Sequence, residues 1–358
     1  MINCRFCGST NFERNGHRYN NKGTYQRYIC NECNRSFIVD NGFLHKGFKD
    51  KIITSCLDLY FNGLSLRKIS NHLYGCYNIK VSYVTIYKWI VEYSQRISAA
   101  VGNYIVNSSR NIHADEIMIN IGGEWHWFWS VLCEDNRMIT SSIITKTRDI
   151  HYARKLFEET KMHLPERPRN VITDGLPAYK KAFGKAFRRS EKSYGSIKHV
   201  RLIKFIDKIN NNVMERVNGT MKDKIKIMRG FKSIEGATAI MSGFVVYYNF
   251  VRPHMGLNYA TPAQTAGIEL NLGRNRWNEL IKLTVDSQRT SNVLITAINE
   301  HEGPCTVKVF KDGVEVNLKS LGMSMRCIQT EFKNYSKAKE FVEFYRQVHP
   351  DYDFKIEY

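Results

Sequence analysis

The sequence lacks the features that mark secreted and membrane-bound proteins. Its start carries neither the basic residues nor the apolar core of a signal peptide. Its longest apolar stretch, residues 237–251, covers about 15 positions, whereas a helix needs about 20 to span a bilayer. No internal repeat or low-complexity tract is visible. These absences predict a protein that has no membrane partner.

Cysteine is present, but not in the pattern of a disulfide framework. The chain has nine cysteines, an odd number, of which four form two tight pairs and five are scattered. Secreted domains that depend on disulfides usually carry an even set at regular spacing. The pattern therefore indicates a reducing, cytoplasmic environment.

Acidic residues are outnumbered by basic ones. The 53 Lys and Arg against 34 Asp and Glu give a net charge of +19 over 358 residues. Such a surplus favours a polyanionic partner, which is DNA, RNA or an anionic membrane surface. Because membrane binding is not expected, nucleic acid remains. The length predicts about two to four domains.

The pattern along the chain changes at three places and predicts a multidomain protein. A cysteine-rich ribbon over residues 1–45 precedes a helical segment over 46–105. Residues 106–268 mix strands of period two with amphipathic helices, which predicts an α/β domain with a mixed sheet flanked by helices. Residues 269–358 combine a hairpin pattern with a closing helix, and predict a small α+β domain of unknown role.

The two cysteine pairs of the ribbon have the spacing of a metal site. The four residues are Cys4, Cys7, Cys30 and Cys33. Two C-x-x-C knuckles can place four thiolates on one tetrahedral ion, which favours a closed, structural Zn²⁺ site. The alternative is a set of ordinary reduced cysteines. Basic ribbon residues, including Arg18 and Arg35, are candidates for phosphate contact.

The segment after the ribbon predicts three short helices, over residues 49–61, 66–74 and 82–97. A Gly-containing turn after the first helix is typical of a helix-turn-helix, in which the third helix reads DNA. That helix would present four residues outward: Ser82, Tyr83, Thr85 and Lys88. A generic three-helix packing module remains the alternative.

Two aspartates of the α/β domain are candidate metal ligands. Asp115 shares a strand face with Ile117 and Ile119, whereas Glu116 points to the other face, so Asp115 is the favoured ligand. Asp174 follows a short apolar strand at its carboxyl end, where α/β folds place ligands. Either residue also fits a plain turn, and Asp174 fits a helix cap.

Glu215 lies on a predicted helix over residues 211–229 that has two different faces. Apolar residues gather on one stripe of this helix: Val213, Val217, Met221, Ile225 and Met228. Glu215, Lys222 and Lys226 gather on nearly the opposite side. An ordinary solvated face explains such a charge run, but an acid followed by lysines also suits a metal site beside a phosphate backbone.

Three separated carboxylates have a clear chemical use on nucleic acid. Attack on a phosphodiester develops negative charge and needs a deprotonated nucleophile. Two Mg²⁺ or Mn²⁺ ions about 4 Å apart meet both needs, and these hard cations prefer carboxylate oxygens. The candidates Asp115, Asp174 and Glu215 therefore predict metal-assisted phosphoryl transfer.

Several motifs resemble those of DDE transposases from bacterial and archaeal insertion sequences. The longest are residues 211–222 (NNVMERVNGTMK), 229–232 (RGFK), 248–254 (YNFVRPH) and 261–263 (TPA). Shorter ones surround the aspartates, at 113–116 (HADE) and 173–175 (TDG). Residues 28–37 (YICNECNRSF) are similar to zinc ribbons that precede such catalytic domains. The resemblance covers about residues 1–268.

The resemblance implies an RNase H-like fold shared with retroviral integrases, with Asp115, Asp174 and Glu215 as metal ligands. It also implies that Lys222 contacts the transposon end and that the protein acts as a multimer. Other expected DNA contacts are Lys226, Arg216, Arg229, Arg252 and Lys88. The interval from Asp174 to Glu215 is longer than the family pattern, through a basic loop at 184–195. Residues 269–358 match nothing in that pattern.

Together these patterns predict an insertion-sequence transposase of the cytoplasm and nucleoid. It would bind terminal inverted repeats in double-stranded DNA, nick them to free a 3′-hydroxyl and join that end to target DNA. Two other classes stay open. One is an RNase H-like nuclease or resolvase that cuts without joining, and the other is a non-catalytic zinc-ribbon DNA-binding regulator.

Overall fold

The computed structural model describes most of the chain up to residue 285 and four strands beyond it. The described ranges are 2–20, 23–44, 46–102, 104–107, 109–187, 197–202, 211–228, 230–285, 305–311, 314–316, 331–332 and 353–357. The chain divides into two compact units. One comprises residues 40–285, and the other comprises 1–39 and 286–358.

The ribbon is a small antiparallel sheet. Its strands are β1 (Phe12–Asn20), β2 (Gly23–Cys30) and β3 (Ser36–Ile38), in that order. The space between the two cysteine pairs is thus filled by a hairpin. Phe37 is buried beside Phe12 and Tyr28, and this group with its cysteines is the whole described core of the ribbon.

Three helices follow, as the periodicity predicted. They are α1 (Asp50–Phe61), α2 (Leu66–Tyr77) and α3 (Tyr83–Val101). Ser65 caps α2 by accepting a hydrogen bond from the Lys68 N–H, and Ser82 caps α3 by accepting one from the Val84 N–H. α3 is longer than predicted because Ile97 and Val101 still face the core.

The α/β part is built on a five-stranded mixed sheet. Its strands are β4 (Asn111–Ile121), β5 (Glu124–Cys133), β6 (Ile139–Thr145), β7 (Asn170–Thr173) and β8 (Lys198–Arg201). Their order in space is β6-β5-β4-β7-β8. The β4–β5 and β5–β6 pairs are antiparallel, whereas β4–β7 and β7–β8 are parallel. This arrangement agrees with the expected mixed sheet of an RNase H-like domain.

Helices cover both faces of the sheet. They are α4 (Ile150–His163), α5 (Pro177–Ala186), α6 (Asn212–Met228), α7 (Ile234–Val246) and α8 (Pro262–Thr265), followed by α9 over residues 276–285. α4 and α5 pack on the face that carries Ile112 and Ala114. α6, α7 and the three helices α1–α3 share one core with the opposite face, which carries Ile117 and Ile119.

α7 packs closely against α3 and ends where the sequence predicts. A Cβ atom on Gly243 would lie 2.6 Å from Cζ of Phe61 and would also overlap Ser94. The helix continues as a π-helical turn over Tyr247–Val251 and stops before Pro253, which cannot extend it. The apolar stretch at 237–251 is thus a buried helix. Among the described residues, no helix is both long enough and apolar enough to cross a membrane.

Residues 269–285, which the sequence pattern grouped with the C-terminal segment, pack against α1. Trp277 is buried, stacks on Phe61 with ring centroids 5.3 Å apart, and donates a 3.3 Å hydrogen bond to Asp58. This tryptophan is flanked by polar residues, so its burial is not visible from periodicity alone.

Four strands are described near the C-terminus. They are β9 (Cys305–Lys311), β10 (Val314–Val316), β11 (Glu331–Phe332) and β12 (Asp353–Glu357). Lys311 pairs with Val314 in an antiparallel ladder, which confirms the predicted hairpin. The predicted helix at 336–348, Arg229 and most of the basic loop at 184–195 lie outside the described residues.

Candidate functional site

The two aspartates lie side by side on neighbouring strands. β4 and β7 run parallel, and their pairing ends with Ala114 opposite Thr173. Asp115 is the next residue of β4, and Asp174 is the first residue after β7. This confirms the prediction that Asp174 follows a parallel strand at its carboxyl end, and it places both carboxylates at one edge of the sheet.

A third carboxylate joins them, and it comes from Glu116. One carboxylate oxygen from each of Asp115, Glu116 and Asp174 lies within 4.8 Å of the other two. Glu116 does point to the opposite face of β4 from Asp115, as predicted, and its carboxylate nevertheless reaches the acidic cluster. Because β7 ends at Thr173, the edge of β4 beyond Ala114 is open, and side chains from both of its faces can approach Asp174 there.

Glu116 is held in the site by two donors on the α5 face of the sheet. Its Oε2 accepts a 2.8 Å hydrogen bond from the Tyr179 hydroxyl, and its Oε1 accepts one of 3.1 Å from Arg148. The Arg148 guanidinium also lies 4.0 Å from the centroid of the Trp127 ring. Neither Tyr179 nor Arg148 was predicted, since each is separated from Glu116 by more than thirty positions.

Two of the clustered carboxylates, Asp115 and Glu116, resist ionisation. Burial raises the pKa of Asp115 to about 7, and the charges of Glu116 and Asp174 act in the same direction. The Glu116 N–H and Lys222 act against this shift. Burial likewise raises the pKa of Glu116, although Tyr179 and Arg148 lower it in part. Three oxygen donors at this spacing fit a hard divalent cation, whose charge would offset both burial and repulsion.

Asp174 also stabilises a turn before a helix, which was the alternative interpretation of this residue. Its Oδ1 accepts a 2.8 Å hydrogen bond from the Leu176 N–H, just before α5 begins at Pro177. One oxygen thus stabilises the turn into the helix. The other is available to the acidic cluster, so the turn and the metal-site interpretations are compatible.

α6 is attached to β4 at two points that flank Glu215. Asn218 donates a 2.7 Å hydrogen bond to Oδ2 of Asp115. His113 lies 2.8 Å, Nδ1 to Oδ1, from Asn211, whose backbone carbonyl accepts from the Glu215 N–H. Glu215 itself is exposed, in the first turn of the helix. Among the described carboxylates, it is not one of the three whose oxygens gather within 4.8 Å.

The two faces of α6 are as predicted, with one addition. Met214, Val217 and Met221 are buried, and the other residues of the apolar stripe pack partly on the same core. Arg216, Lys222 and Lys226 are exposed. The addition is Asn218, which is buried and faces Asp115. The helical periodicity did not indicate this contact.

The four ribbon cysteines form a second cluster. Their sulfur atoms lie within 4.8 Å of one another, with Cys4 and Cys33 3.6 Å apart and Cys7 and Cys30 3.5 Å apart. Tetrahedral zinc with Zn–S bonds of ~2.3 Å needs sulfur atoms roughly 3.8 Å apart. The donor set and spacing therefore fit Zn²⁺, as the two C-x-x-C pairs predicted.

The remaining predicted DNA contacts lie on several elements. Lys88 is exposed on α3, and Arg18 is exposed on β1. Arg35 is exposed beside the Phe6 ring, and Arg252 is half-buried after the π-helical turn. Of the other residues predicted to face outward at the start of α3, Ser82 and Tyr83 are exposed, but Thr85 is half-buried.

Comparison with known proteins supports the resemblance drawn from the motifs. Residues 109–254 match the family model DDE_Tnp_IS240, described as a DDE domain, and all three acidic positions fall within that range. No curated protein matches the chain.

Among solved structures, the trimeric HTLV-2 integrase catalytic core domain in complex with magnesium is 15% identical, with a TM-score of 0.33. The match covers 45% of this chain and 99% of that one. The simian T-cell lymphotropic virus intasome in complex with PP2A regulatory subunit B56 gamma is 12% identical, with a TM-score of 0.35. That match covers 59% of this chain and 74% of that one.

Proposed function

Because residues 109–254 match a DDE domain, we propose that the protein is a DNA strand transferase of the insertion-sequence type. The observation that carries this proposal is the gathering of Asp115, Glu116 and Asp174 within 4.8 Å, inside the matched range. Acids held that closely at an open sheet edge suit phosphoryl transfer on a polyanion, and the net charge of +19 favours such a substrate.

Asp115, Asp174 and Glu215 are proposed to hold two Mg²⁺ or Mn²⁺ ions, with Glu116 as a further oxygen donor. Such ions, when bound, stabilise negative charge on the phosphoryl oxygens and lower the pKa of the attacking hydroxyl. Asn218 orients Asp115, while His113 and Asn211 fix the start of α6 and so the position of Glu215. Lys222, whose charge acts on Asp115, would contact the phosphate backbone next to the acids.

The reaction would proceed in two balanced steps. Water attacks a phosphodiester at the end of the element and displaces a 3′-hydroxyl. That 3′-hydroxyl then attacks a phosphodiester of the target, forms a new bond and displaces a target 3′-hydroxyl. Either the cut-and-paste or the replicative route is compatible with this chemistry.

The other regions are proposed to bind DNA and to assemble the complex. In this scheme the zinc ribbon (1–45) and the helix-turn-helix (46–105) bind the terminal inverted repeats. The DNA contacts of these two regions would be Arg18, Arg35 and Lys88. Those of the catalytic domain, besides Lys222, would be Arg216, Lys226, Arg229 and Arg252. The catalytic domain (106–268) acts within a homodimer or larger multimer on paired ends in the nucleoid, and residues 269–358 form an appendage.

The test is strand transfer of a labelled end that carries a 3′-hydroxyl, measured with Mg²⁺. We expect joined products from the wild-type chain. The variants Asp115→Asn, Asp174→Asn and Glu215→Gln should each lose them while retaining DNA binding. The exposed acid Glu124 provides a matched control, since Glu124→Gln on the neighbouring strand should leave joining intact.

The other outcomes identify the alternative classes. Cleaved but unjoined products would indicate an RNase H-like nuclease or resolvase. DNA binding without cleavage or joining, unchanged by Asp174→Asn, would indicate a regulator. Strand transfer that persists in all three acid variants would show that the acids are wrongly assigned.

A further inference from the structure

A groove of about 1040 Å³ lies between the helical segment and the C-terminal end of α6. One wall consists of the turn after α1 and the first residues of α2 and α3. The opposite wall consists of the end of α6, residues 230–232 and the start of α7. Five of the described lining residues are basic and none is acidic: Arg67, Lys68, Lys224, Lys226 and Lys232. An acid-free wall with five cations selects for an anionic occupant.

The groove also exposes aromatic and apolar side chains. Tyr83 and Tyr87 on α3 are 44% and 37% exposed, and both line it, as do Val84 and Ile227. Trp89 and Tyr93 of α3 lie in the core, whereas the first turn of the helix is open to the groove.

The two tyrosines differ in what lies beside them. The Arg67 guanidinium lies 5.0 Å from the centroid of the Tyr83 ring. The Tyr87 hydroxyl lies so close to α7 that a Cβ atom on Gly236 would be 2.7 Å from it. This packing limits how far the Tyr87 ring can move. A positively charged groove that also carries aromatic side chains is typical of proteins that bind single-stranded nucleic acid. The bases stack on the rings while the basic residues contact the phosphates.

The exposed rings favour a single strand over a duplex. The bases of a duplex stack on one another, so their faces are not offered to Tyr83 and Tyr87, whereas an unpaired base can stack on an aromatic ring.

α6 connects this groove to the acidic site. Glu215 and Lys226 lie on the same helix, roughly 16 Å apart at a rise of ~1.5 Å per residue. We propose that the groove binds single-stranded DNA, namely the strand that continues from the reacting phosphate at an opened DNA end. The proposal rests on the function proposed above and adds a binding site to it.

The test is binding by the full chain without added Mg²⁺, so that no reaction occurs. The probes are a fluorescein-labelled ten-nucleotide oligodeoxythymidylate and a blunt hairpin duplex, followed by fluorescence anisotropy. The variant is Tyr83→Ala with Tyr87→Ala. Its matched control is Tyr74→Ala with Tyr77→Ala, two tyrosines of α2 that are 54% and 62% exposed and do not line the groove.

We expect the groove variant to bind the oligodeoxythymidylate at least ~10-fold more weakly, because each stacked base depends on one ring. The control variant should bind it within about twofold of the wild type. Any loss of blunt-duplex binding in the groove variant should be smaller than its loss of oligodeoxythymidylate binding, because Tyr83 also lies on the predicted DNA-reading helix. If the tyrosine variant does not fold, Arg67→Ala with Lys226→Ala should reduce the salt dependence of oligonucleotide binding by about one charge per substitution.

Three outcomes would overturn the proposal. One is unchanged oligonucleotide binding by both groove variants, and another is equal loss by the groove and control variants. The third is a groove variant that binds the oligonucleotide like the wild type but differs from it in molar mass in solution. That result would show that the groove is occupied by a segment of a second copy of the chain. Strand transfer is measured separately. If it persists while the groove binds no single strand, only the groove proposal fails; if it is absent while the groove binds, only the proposed reaction fails.

Discussion

Asn218 donates a 2.7 Å hydrogen bond to Oδ2 of Asp115 and thereby ties α6 to β4 at the acidic site. The other oxygen, Oδ1, accepts from the Glu116 N–H, so both oxygens of Asp115 have fixed directions. Glu215 lies one turn before Asn218 on the same helix. The contact therefore couples the orientation of the Asp115 carboxylate to the position of Glu215 on α6.

Removing this contact should reduce activity without unfolding the protein. We expect Asn218→Ala to lower strand transfer by ~10–100-fold and to raise the Mg²⁺ concentration needed for half-maximal rate, as loss of an orienting partner does in metal sites. The measurement is a Mg²⁺ titration of strand transfer. Thr220→Ala is the matched control, because that hydroxyl bonds only within α6, to the Arg216 carbonyl. An unchanged Mg²⁺ dependence in Asn218→Ala would contradict the positioning role.

Glu116 should act as an auxiliary donor in the acidic cluster. We expect Glu116→Gln to weaken Mg²⁺ binding by roughly 10-fold and to be rescued by excess Mg²⁺, whereas Asp115→Asn is not rescued. Isothermal titration calorimetry on both variants distinguishes these results. A Glu116→Gln variant that binds Mg²⁺ like the wild type would show that Glu116 only supports Tyr179 and Arg148.

The raised pKa of Asp115, about 7, predicts a pH dependence of metal binding. A proton and a cation compete for the same carboxylate. We expect Mg²⁺ affinity to fall as the pH is lowered from 8 to 6, approaching ~10-fold per pH unit below the pKa. Asp115→Asn should remove most of this dependence, and equal slopes in the two proteins would contradict the assignment.

The same shift predicts how the stability of the metal-free protein changes with pH. The folded chain keeps a proton on Asp115 up to a pKa of about 7, whereas the unfolded chain loses it near the ordinary value of 3.8. Between those values the folded state binds more protons, so stability falls as the pH rises. Thermal melts without added Mg²⁺ should show this decline, and Asp115→Asn should flatten it.

The ribbon should contain one zinc ion whose loss leaves the acidic site intact. Cys30 is fully buried in the cysteine cluster, so we expect Cys30→Ser to abolish zinc and to unfold the small ribbon core. Cys76→Ser changes an exposed cysteine outside the cluster and should retain about one zinc per chain. Metal analysis of the purified proteins gives the zinc content. Full zinc in the Cys30 variant would contradict the four-cysteine site.

The close approach of α3 and α7 should make Gly243 intolerant of any side chain. We expect Gly243→Ala to destabilise the protein by about 1–3 kcal/mol or more, because its Cβ would overlap Phe61 and Ser94. Gly219→Ala on α6 is the matched control: nothing lies within 4 Å of its added Cβ, and alanine should stabilise the helix by ~1 kcal/mol. Chemical denaturation measures both changes.

Features that depend on neighbouring residues were predictable from the order of amino acids. The spacing of the cysteine pairs predicted the four-sulfur cluster, and the helical periodicity predicted α1, α2 and α3. Strand alternation placed Asp115 on the core face with Ile117. Each of these follows from a local period or a local spacing, so a short stretch of chain contains the information.

The tertiary structure alone decided which distant residues complete the site. Glu116 joins the acids because β7 ends at Thr173 and opens the edge of β4. Asn218 reaches Asp115, and Trp277 fills the core beside α1, across more than one hundred positions of chain. Such contacts arise when separate elements pack to bury their apolar faces, and no periodicity within one element specifies which polar groups then meet.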